Sequence, residues 1–546
     1  MSSDPFDPAR PVAIVPAGGA GSPREAPPPA APQGRGLRLA LAPESLPRLR
    51  RHPLLLALTQ GRPARRALRV AYFDTATFDL ARGGLLLRVR RVGRHHVQTL
   101  ERIGPAAEVA GALESLVADG APDLARLPDP AERVRALELV AARPLSPAFE
   151  IDLVRLRRAL REDASELTFD LEIGEIRWGG ASARRMPVCE LELTAGAGDP
   201  GHPWRLALEL LDELPLRPSP LGLAERGLAL AADRAPEARK AARFLFDENA
   251  PVEALLVAVV EACLDQVLAN ESAARAGVDP EGVHQMRVGL RRLRSALAFF
   301  APMIPAAQRE RLRGELGWLA SELGDARDLD VFTGELLPPL QALRPDDAAL
   351  ARLRDTALGA RTEGYARARA ALDSARYPRL VLELGLWLAR RAWRDQPLSE
   401  HSAALFQPAR SWAAALLERR YRKARKLGRR LATSSPAERH RLRIRLKKLR
   451  YGAEFSRGLF PLKRTDRSVR RLAELQDVLG RLNDAALGER LVTERLARDV
   501  PDSDVNAARA AGLAAGWFAH ASHREAEALV ARWERFEKTG RFWPHP

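Results

Sequence analysis

From Gly36 to about Gly196 apolar and polar residues mostly alternate. Examples are "LLLRVRR" (85–91), "FEIDLVRLRRAL" (149–160), "ELTFDLEIGEI" (166–176) and "PVCELELTA" (187–195). A period of two puts one set of side chains on each face of a strand, so this region predicts an antiparallel sheet that closes toward a barrel. "PWRLALELLDEL" (203–214) then switches to helical spacing, and residues 216–245 have only marginal helicity. From about Asn249 to Trp543 nearly every segment has helical periodicity. The expected fold is a multidomain α+β chain, an N-terminal antiparallel β-barrel or tunnel followed by an all-α bundle. Its expected divisions are a disordered leader (1–34), a β domain (35–215), a linker (216–245) and a helical domain (246–546).

Charge separates the two halves more sharply than periodicity does. Residues 1–250 carry 35 basic and 33 acidic side chains, whereas residues 251–546 carry 52 and 37. The helical half is therefore the candidate for an anionic partner. Cys189 and Cys263 stand far apart in apolar surroundings, as reduced core residues do. No long apolar stretch lacks charge and no signal-peptide pattern is present, which points to a cytoplasmic protein without a membrane partner.

The helical half contains one basic helix twice. "VHQMRVGLRRLRSAL" (283–297) and "RHRLRIRLKKLRYGA" (439–453) place His284, Arg287, Arg291, Arg292 and Arg294 at the same offsets as His440, Arg443, Lys447, Lys448 and Arg450. Offsets 0, 3, 7 and 10 fall within about 80° of a helical wheel, with Met286, Leu290 and Leu293, or Leu442, Leu446 and Leu449, on the opposite side. "LGDARDLDV" and "LGRLNDAAL" each begin 39 residues after their histidine, so the half is a duplication with a period of 156. Duplicated bundles pair pseudo-symmetrically, which would turn both stripes into one groove, with Asp328 and Asp484 orienting the cations by hydrogen bonds. A basic helix face is ordinarily a solvated surface laced with acids, yet neither stripe contains one. The run "RRYRKARKLGRR" (419–430) adds eight more cations.

Unneutralised guanidinium and ammonium groups suit phosphoryl oxygens. Nucleic-acid bases ordinarily need aromatic platforms, and only Tyr451 stands beside the stripes, so bare phosphate fits better than a nucleic acid held by its backbone.

"VHQMRVGLRRLRSAL", "LGDARDLDV", "HRLRIRLKKLRY" and "LQDVLGRLND" together resemble the CHAD family, the conserved histidine α-helical domain. The resemblance implies a two-fold helical bundle that binds inorganic polyphosphate in a basic cavity without a cofactor, and association with polyphosphate granules. The binding residues implied are His284, Arg287, Arg291, Arg294, His440, Arg443, Lys447 and Arg450, with Arg292 and Lys448 as further candidates.

The first half resembles the CYTH family, the triphosphate tunnel fold, through "YFDT" (72–75), "LLLRVRR", "VQTLE" (97–101), "FEIDLVRLRRAL" and "CELELT" (189–194). That family implies a tunnel of cations holding triphosphate and carboxylates holding Mg²⁺ or Mn²⁺. Its Glu-x-Glu-x-Lys strand is replaced by Gly36, Arg38 and Ala40, a lysine by Glu101, an aspartate by Glu172 and a glutamate by Thr168. Arg88, Arg90 and Arg155 remain for an anion, and Glu172, Glu190 and Glu192 for a metal if the tunnel is active. Loss of two first-strand acids, one to a cation, argues for a tunnel without hydrolytic activity. A metal-dependent triphosphatase is the alternative.

Overall fold

The computed structural model describes residues 36–103, 112–179, 184–241, 246–247, 249–496 and 504–544; the leader expected at 1–34 lies outside them. Nine strands form the N-terminal sheet: β1 (Leu37–Ala40), β2 (Thr59–Asp74), β3 (Leu85–Val92), β4 (His95–Arg102), β5 (Leu113–Val117), β6 (Ser146–Glu162), β7 (Ser165–Trp178), β8 (Arg184–Ala195) and β9 (Arg217–Pro218). Their order is β5-β4-β3-β2-β6-β7-β8-β1-β9, and every pair is antiparallel. The sheet does not close. β5 and β9 are its edges, so the expected barrel is an open, nine-stranded layer.

Alternation decides its two faces. Phe169, Leu171, Leu191, Leu193 and Leu39 are buried together with Leu206 and Leu210 of the His202–Glu213 helix. Their neighbours along β7 and β8, Asp170, Glu172, Glu190 and Glu192, point the other way and stand in register, Asp170 opposite Glu192 and Glu172 opposite Glu190. Part of the expected linker also belongs to this domain. β9 pairs with β1, and the Leu223–Ala231 helix packs Leu223, Leu228 and Ala231 against Phe149, Ile151 and Ile176. Those apolar positions recur at helical spacing, and their burial against the sheet stabilises what is marginal as an isolated helix.

The repeat is visible to the residue. Two 20-residue basic helices span Pro280–Phe299 and Pro436–Phe455. Each is followed by a 3₁₀ turn, Ala301–Met303 or Arg457–Leu459, and then by a helix beginning at Ala306 or Leu462. All these starts differ by 156. Capping sets the register. Asp279 accepts from the Glu281 amide at 2.8 Å, Ser435 accepts from the Glu438 amide at 3.2 Å, and a proline occupies the first position of both helices. Preceding helices Val252–Ala269 and Ala409–Gly428 begin side by side, where the Val252 amide donates to Gln407 O at 3.0 Å and the Ala409 amide to Ala250 O at 2.9 Å.

Helices Ala348–Asp373 and Arg376–Ala389 connect the repeats, and Val505–Thr539 packs along Leu462–Arg490. Trp533 and Trp543 are buried, and Trp517 is partly buried. The sheet and the helices form one packed unit. Leu382 of the Arg376–Ala389 helix is buried in the sheet-side core, and Gly385 lets Trp204 approach so closely that a β-carbon there would lie 2.2 Å from its ring. Arg390 donates to Asp199 at 3.0 Å, and Arg217 pairs with Asp373 at 3.0 Å. Both cysteines are buried and free, with thiols that burial pushes up to about 11 for Cys189 and about 12 for Cys263.

Candidate functional site

Each basic helix is anchored on its dry side. Met286, Leu290, Leu293, Leu442, Leu446 and Leu449 are all buried in one shared core. With that side fixed, the cationic stripes converge. Arg291 of the first helix donates through Nε to the Tyr451 hydroxyl of the second at 2.7 Å, and its charge reaches both Arg443 and Lys447. Burial, followed by Arg443, Arg291 and Arg450, pulls the Lys447 ammonium down to about 8. Burial likewise lowers Arg287 and Arg443. It lowers His284 too, with Arg327 and Arg291 adding to the effect.

The acids of the second motif sit at matching places. Burial raises Asp328 against the pull of Arg287, and raises Asp484 against the pull of Arg443. Asp328 also feels Arg490 from the second repeat, and Asp484 feels Arg327 and Glu335 from the first, so the two motifs face one another. The expected hydrogen bonds between acids and stripe cations are replaced by longer-range attraction. Arg287 instead donates to Ala320 O at 2.7 Å.

Not every stripe residue enters the groove on equal terms. Arg294 and His440 are exposed, and so is Arg291, which the Tyr451 hydroxyl nonetheless ties to the second helix. Arg450 already has an acid, donating to Glu454 at 2.7 Å and to Gln476 at 2.9 Å. Arg292 and Lys448 lie at offset 8, roughly 120° from the centre of the stripe, and leave it altogether. Arg292 is 7% exposed and donates to Gln266 at 2.6 Å, whereas Lys448 is exposed on the outer side of its helix. Arg327 and Arg490 were not among the sequence-derived candidates. Arg327 stands inside the "LGDARDLDV" motif beside Asp328 and could have been found there. Arg490 corresponds to Gly334 in the first repeat, so the duplication carries no signal for it.

The sheet domain treats the same residue types differently. Arg155 donates to Glu172 at 2.9 Å, Arg157 to Asp170 at 2.7 and 2.6 Å, and Arg90 to Glu114 at 2.9 Å. Arg88 pairs with Glu101, and Arg38 with Glu192 at 3.4 Å. Glu190 receives Arg226 at 2.6 Å and the Ser219 hydroxyl at 2.8 Å. Two of the altered positions thus have compensating partners, Arg38 on an acid and Glu101 on an arginine. Each carboxylate considered for Mg²⁺ or Mn²⁺ is engaged by a guanidinium, and among the described residues no three His, Cys, Asp or Glu side chains gather to hold a metal ion. The set does not fit a divalent cation without breaking these pairs.

Among the described residues, no helix is long and apolar enough to cross a membrane. The CYTH domain family model matches residues 37–227, and the CHAD domain family model matches residues 258–493. An uncharacterized protein of Mycobacterium tuberculosis is 27% identical over 465 residues, which cover 80% of this chain and 84% of the relative. The crystal structure of the CHAD domain from the plant Ricinus communis is 32% identical and covers 56% of this chain and 99% of its own, with a TM-score of 0.48. PptA from Streptomyces chartreusis is 19% identical and covers 52% of this chain and 100% of its own, with a TM-score of 0.41.

Proposed function

The chain belongs to the proteins that carry a CYTH domain followed by a CHAD domain, and from that premise we propose that it binds inorganic polyphosphate in the groove between its two basic helices. One observation carries the reading: two cationic stripes from symmetry-related helices converge, and among the described residues no ion pair joins their central members to an acid. Arg287, Arg291, Arg443 and Lys447 would take the phosphoryl oxygens, the arginines as two-pronged donors and Lys447 as a point charge. Tyr451 holds Arg291 in place. Asp328 and Asp484 temper the repulsion without cancelling it. His284, Arg294 and His440 extend the stripes at their ends. Phosphate brought into this space offsets the burial and the neighbouring cations that together hold Lys447 at about 8.

In this reading the sheet domain is a scaffold without hydrolytic activity, since its arginines and carboxylates neutralise one another. Association with polyphosphate granules follows from the ligand.

Calorimetric titration with long-chain polyphosphate tests the proposal. Combined Arg287→Gln, Arg291→Gln, Arg443→Gln and Lys447→Gln replacement is expected to weaken binding at least about a hundredfold, whereas replacing Arg62, Arg65, Arg66 and Arg94 of the sheet domain leaves most of it. Equal losses in the two variants would remove the groove from the account. RNA displacing polyphosphate at equal phosphate and physiological salt would make the ligand a nucleic acid. Release of orthophosphate from tripolyphosphate with Mg²⁺ or Mn²⁺, abolished by replacing Glu172, Glu190 and Glu192 with glutamine, would establish a triphosphatase instead.

A further inference from the structure

The two basic helices share their groove face and their core face but differ on the third. In the first repeat that third face is closed. Gln266 of the Val252–Ala269 helix donates to Gln285 at 2.9 Å and accepts from Arg292 at 2.6 Å. Gly289 lies against Val267, whose Cγ2 would be 2.8 Å from a β-carbon at residue 289. Shifting these five positions by 156 gives Arg422, Arg441, Lys448, Arg445 and Lys423. Each is a cation. Where the first repeat has a dry, hydrogen-bonded seam, the second has a row of positive charge between the Ala409–Gly428 and Pro436–Phe455 helices.

Two members of the row have acids. Arg422 pairs with Glu418 at 2.7 Å and Arg441 with Glu438 at 3.6 Å. Among the described residues, Lys423, Arg445 and Lys448 pair with none, and all three are exposed. Arg420 reaches across the seam to donate to Lys448 O and lies 4.8 Å above the Phe299 ring. Burial, followed by Arg445, Arg420, Arg313 and Lys423, lowers the Lys448 ammonium. The run at 419–430 divides accordingly: Arg422, Arg425 and Arg429 face acids, while Arg419, Arg420 and Lys423 lie toward the seam or solvent.

We infer that this seam is a second phosphate-polymer site, which takes the part of a long polyphosphate chain that extends beyond the groove. Lys447 and Lys448 are consecutive and point to the two sides of one helix, about 10–12 Å thick, so a chain leaving the groove reaches the seam within a few phosphate units. The aromatic rings at the seam favour a polymer without bases. Phe299 is covered by Arg420 and Tyr421 is buried, so no ring is presented for a base to stack on. The inference rests on polyphosphate being the ligand of the groove, and two ligands of different length separate the two claims.

The full-length protein with Lys423→Gln, Arg445→Gln and Lys448→Gln is titrated with tripolyphosphate and with long-chain polyphosphate at several salt concentrations. Expected are unchanged tripolyphosphate binding, roughly tenfold weaker long-chain binding, and a salt dependence shallower by about two to three released counterions. If the triple variant does not fold, the single Lys448→Glu variant reads the same quantities. Long-chain affinity and salt slope equal to those of the unaltered protein overturn the seam, as does a seam that holds duplex DNA more tightly than polyphosphate at equal phosphate. Loss of tripolyphosphate binding in the groove variant but not in the seam variant, together with weaker long-chain binding in the seam variant, supports both sites. Retention of it in the groove variant sinks the groove alone.

Discussion

The sheet and the groove are built from the same side chains and reach opposite electrostatic ends. On the sheet, Arg155, Arg157, Arg38 and Arg226 stand one strand or one helix away from Glu172, Asp170, Glu192 and Glu190, and each cation meets an acid. In the groove, Arg287, Arg291, Arg443 and Lys447 are gathered from two helices, and no ion pair joins any of them to a described acid. A paired arginine is part of the scaffold. An unpaired cation among like charges, half-buried as Arg287, Arg443 and Lys447 are, stores repulsion that an outside anion relieves.

The largest effect that would break this contrast lies in the groove. The quadruple glutamine variant is expected to lose at least about a hundredfold in long-chain polyphosphate affinity, at roughly 1.5–3 kcal/mol per charged hydrogen bond, while its thermal melt is unchanged or higher. The sheet should respond the other way round. Arg226→Gln strips a partner from buried Glu190 and is expected to cost about 2 kcal/mol of stability in a urea melt, with polyphosphate affinity unchanged. Were that variant to bind more weakly without being destabilised, the sheet could not be called a scaffold.

A single groove cation combines the two effects. Lys447→Met should weaken binding about tenfold, the equivalent of one charged hydrogen bond, and raise Tm. Its ammonium is depressed to about 8 in the folded chain and titrates near 10.5 when unfolded, so its protonation opposes folding. The cost is present in full below about pH 8 and fades as the pH rises toward 10.5, where the unfolded lysine also loses its proton. The unaltered protein therefore gains stability relative to Lys447→Met across that window, measurable as a narrowing Tm difference. The smallest expected effect is the linked proton. Above pH 8, polyphosphate restores the Lys447 charge, so titrations in two buffers of different ionisation enthalpy should report uptake of up to one proton, absent in Lys447→Met.

Much of this was readable from residue spacing. The stripes of His284 to Arg294 and His440 to Arg450, their leucine backing and the 156-residue repeat all follow from helical geometry. The helix boundaries reproduce the period because the caps Asp279 and Ser435, and the prolines after them, were duplicated with the helices. Arg292 and Lys448 show where spacing stops being enough. They are equivalent by repeat and both are cationic, yet one is buried against Gln266 and the other faces solvent, because their neighbours on the preceding helix diverged from Gln266 and Val267 to Arg422 and Lys423. The open sheet was hidden for a similar reason. Alternation specifies the two faces of a strand and not whether the last strand returns to the first.

What the amino-acid sequence determined alone was local: strand against helix, which side of each helix is apolar, where the charges sit along it, and that one unit occurs twice. Tertiary structure decided which charges meet. Burial and Coulomb attraction depend on distances between elements far apart in the chain, so the neutralisation of Arg38 by Glu192, the hydrogen bond from Arg450 to Gln476, and the approach of Arg291 to Lys447 exist only once the sheet and the repeats have packed.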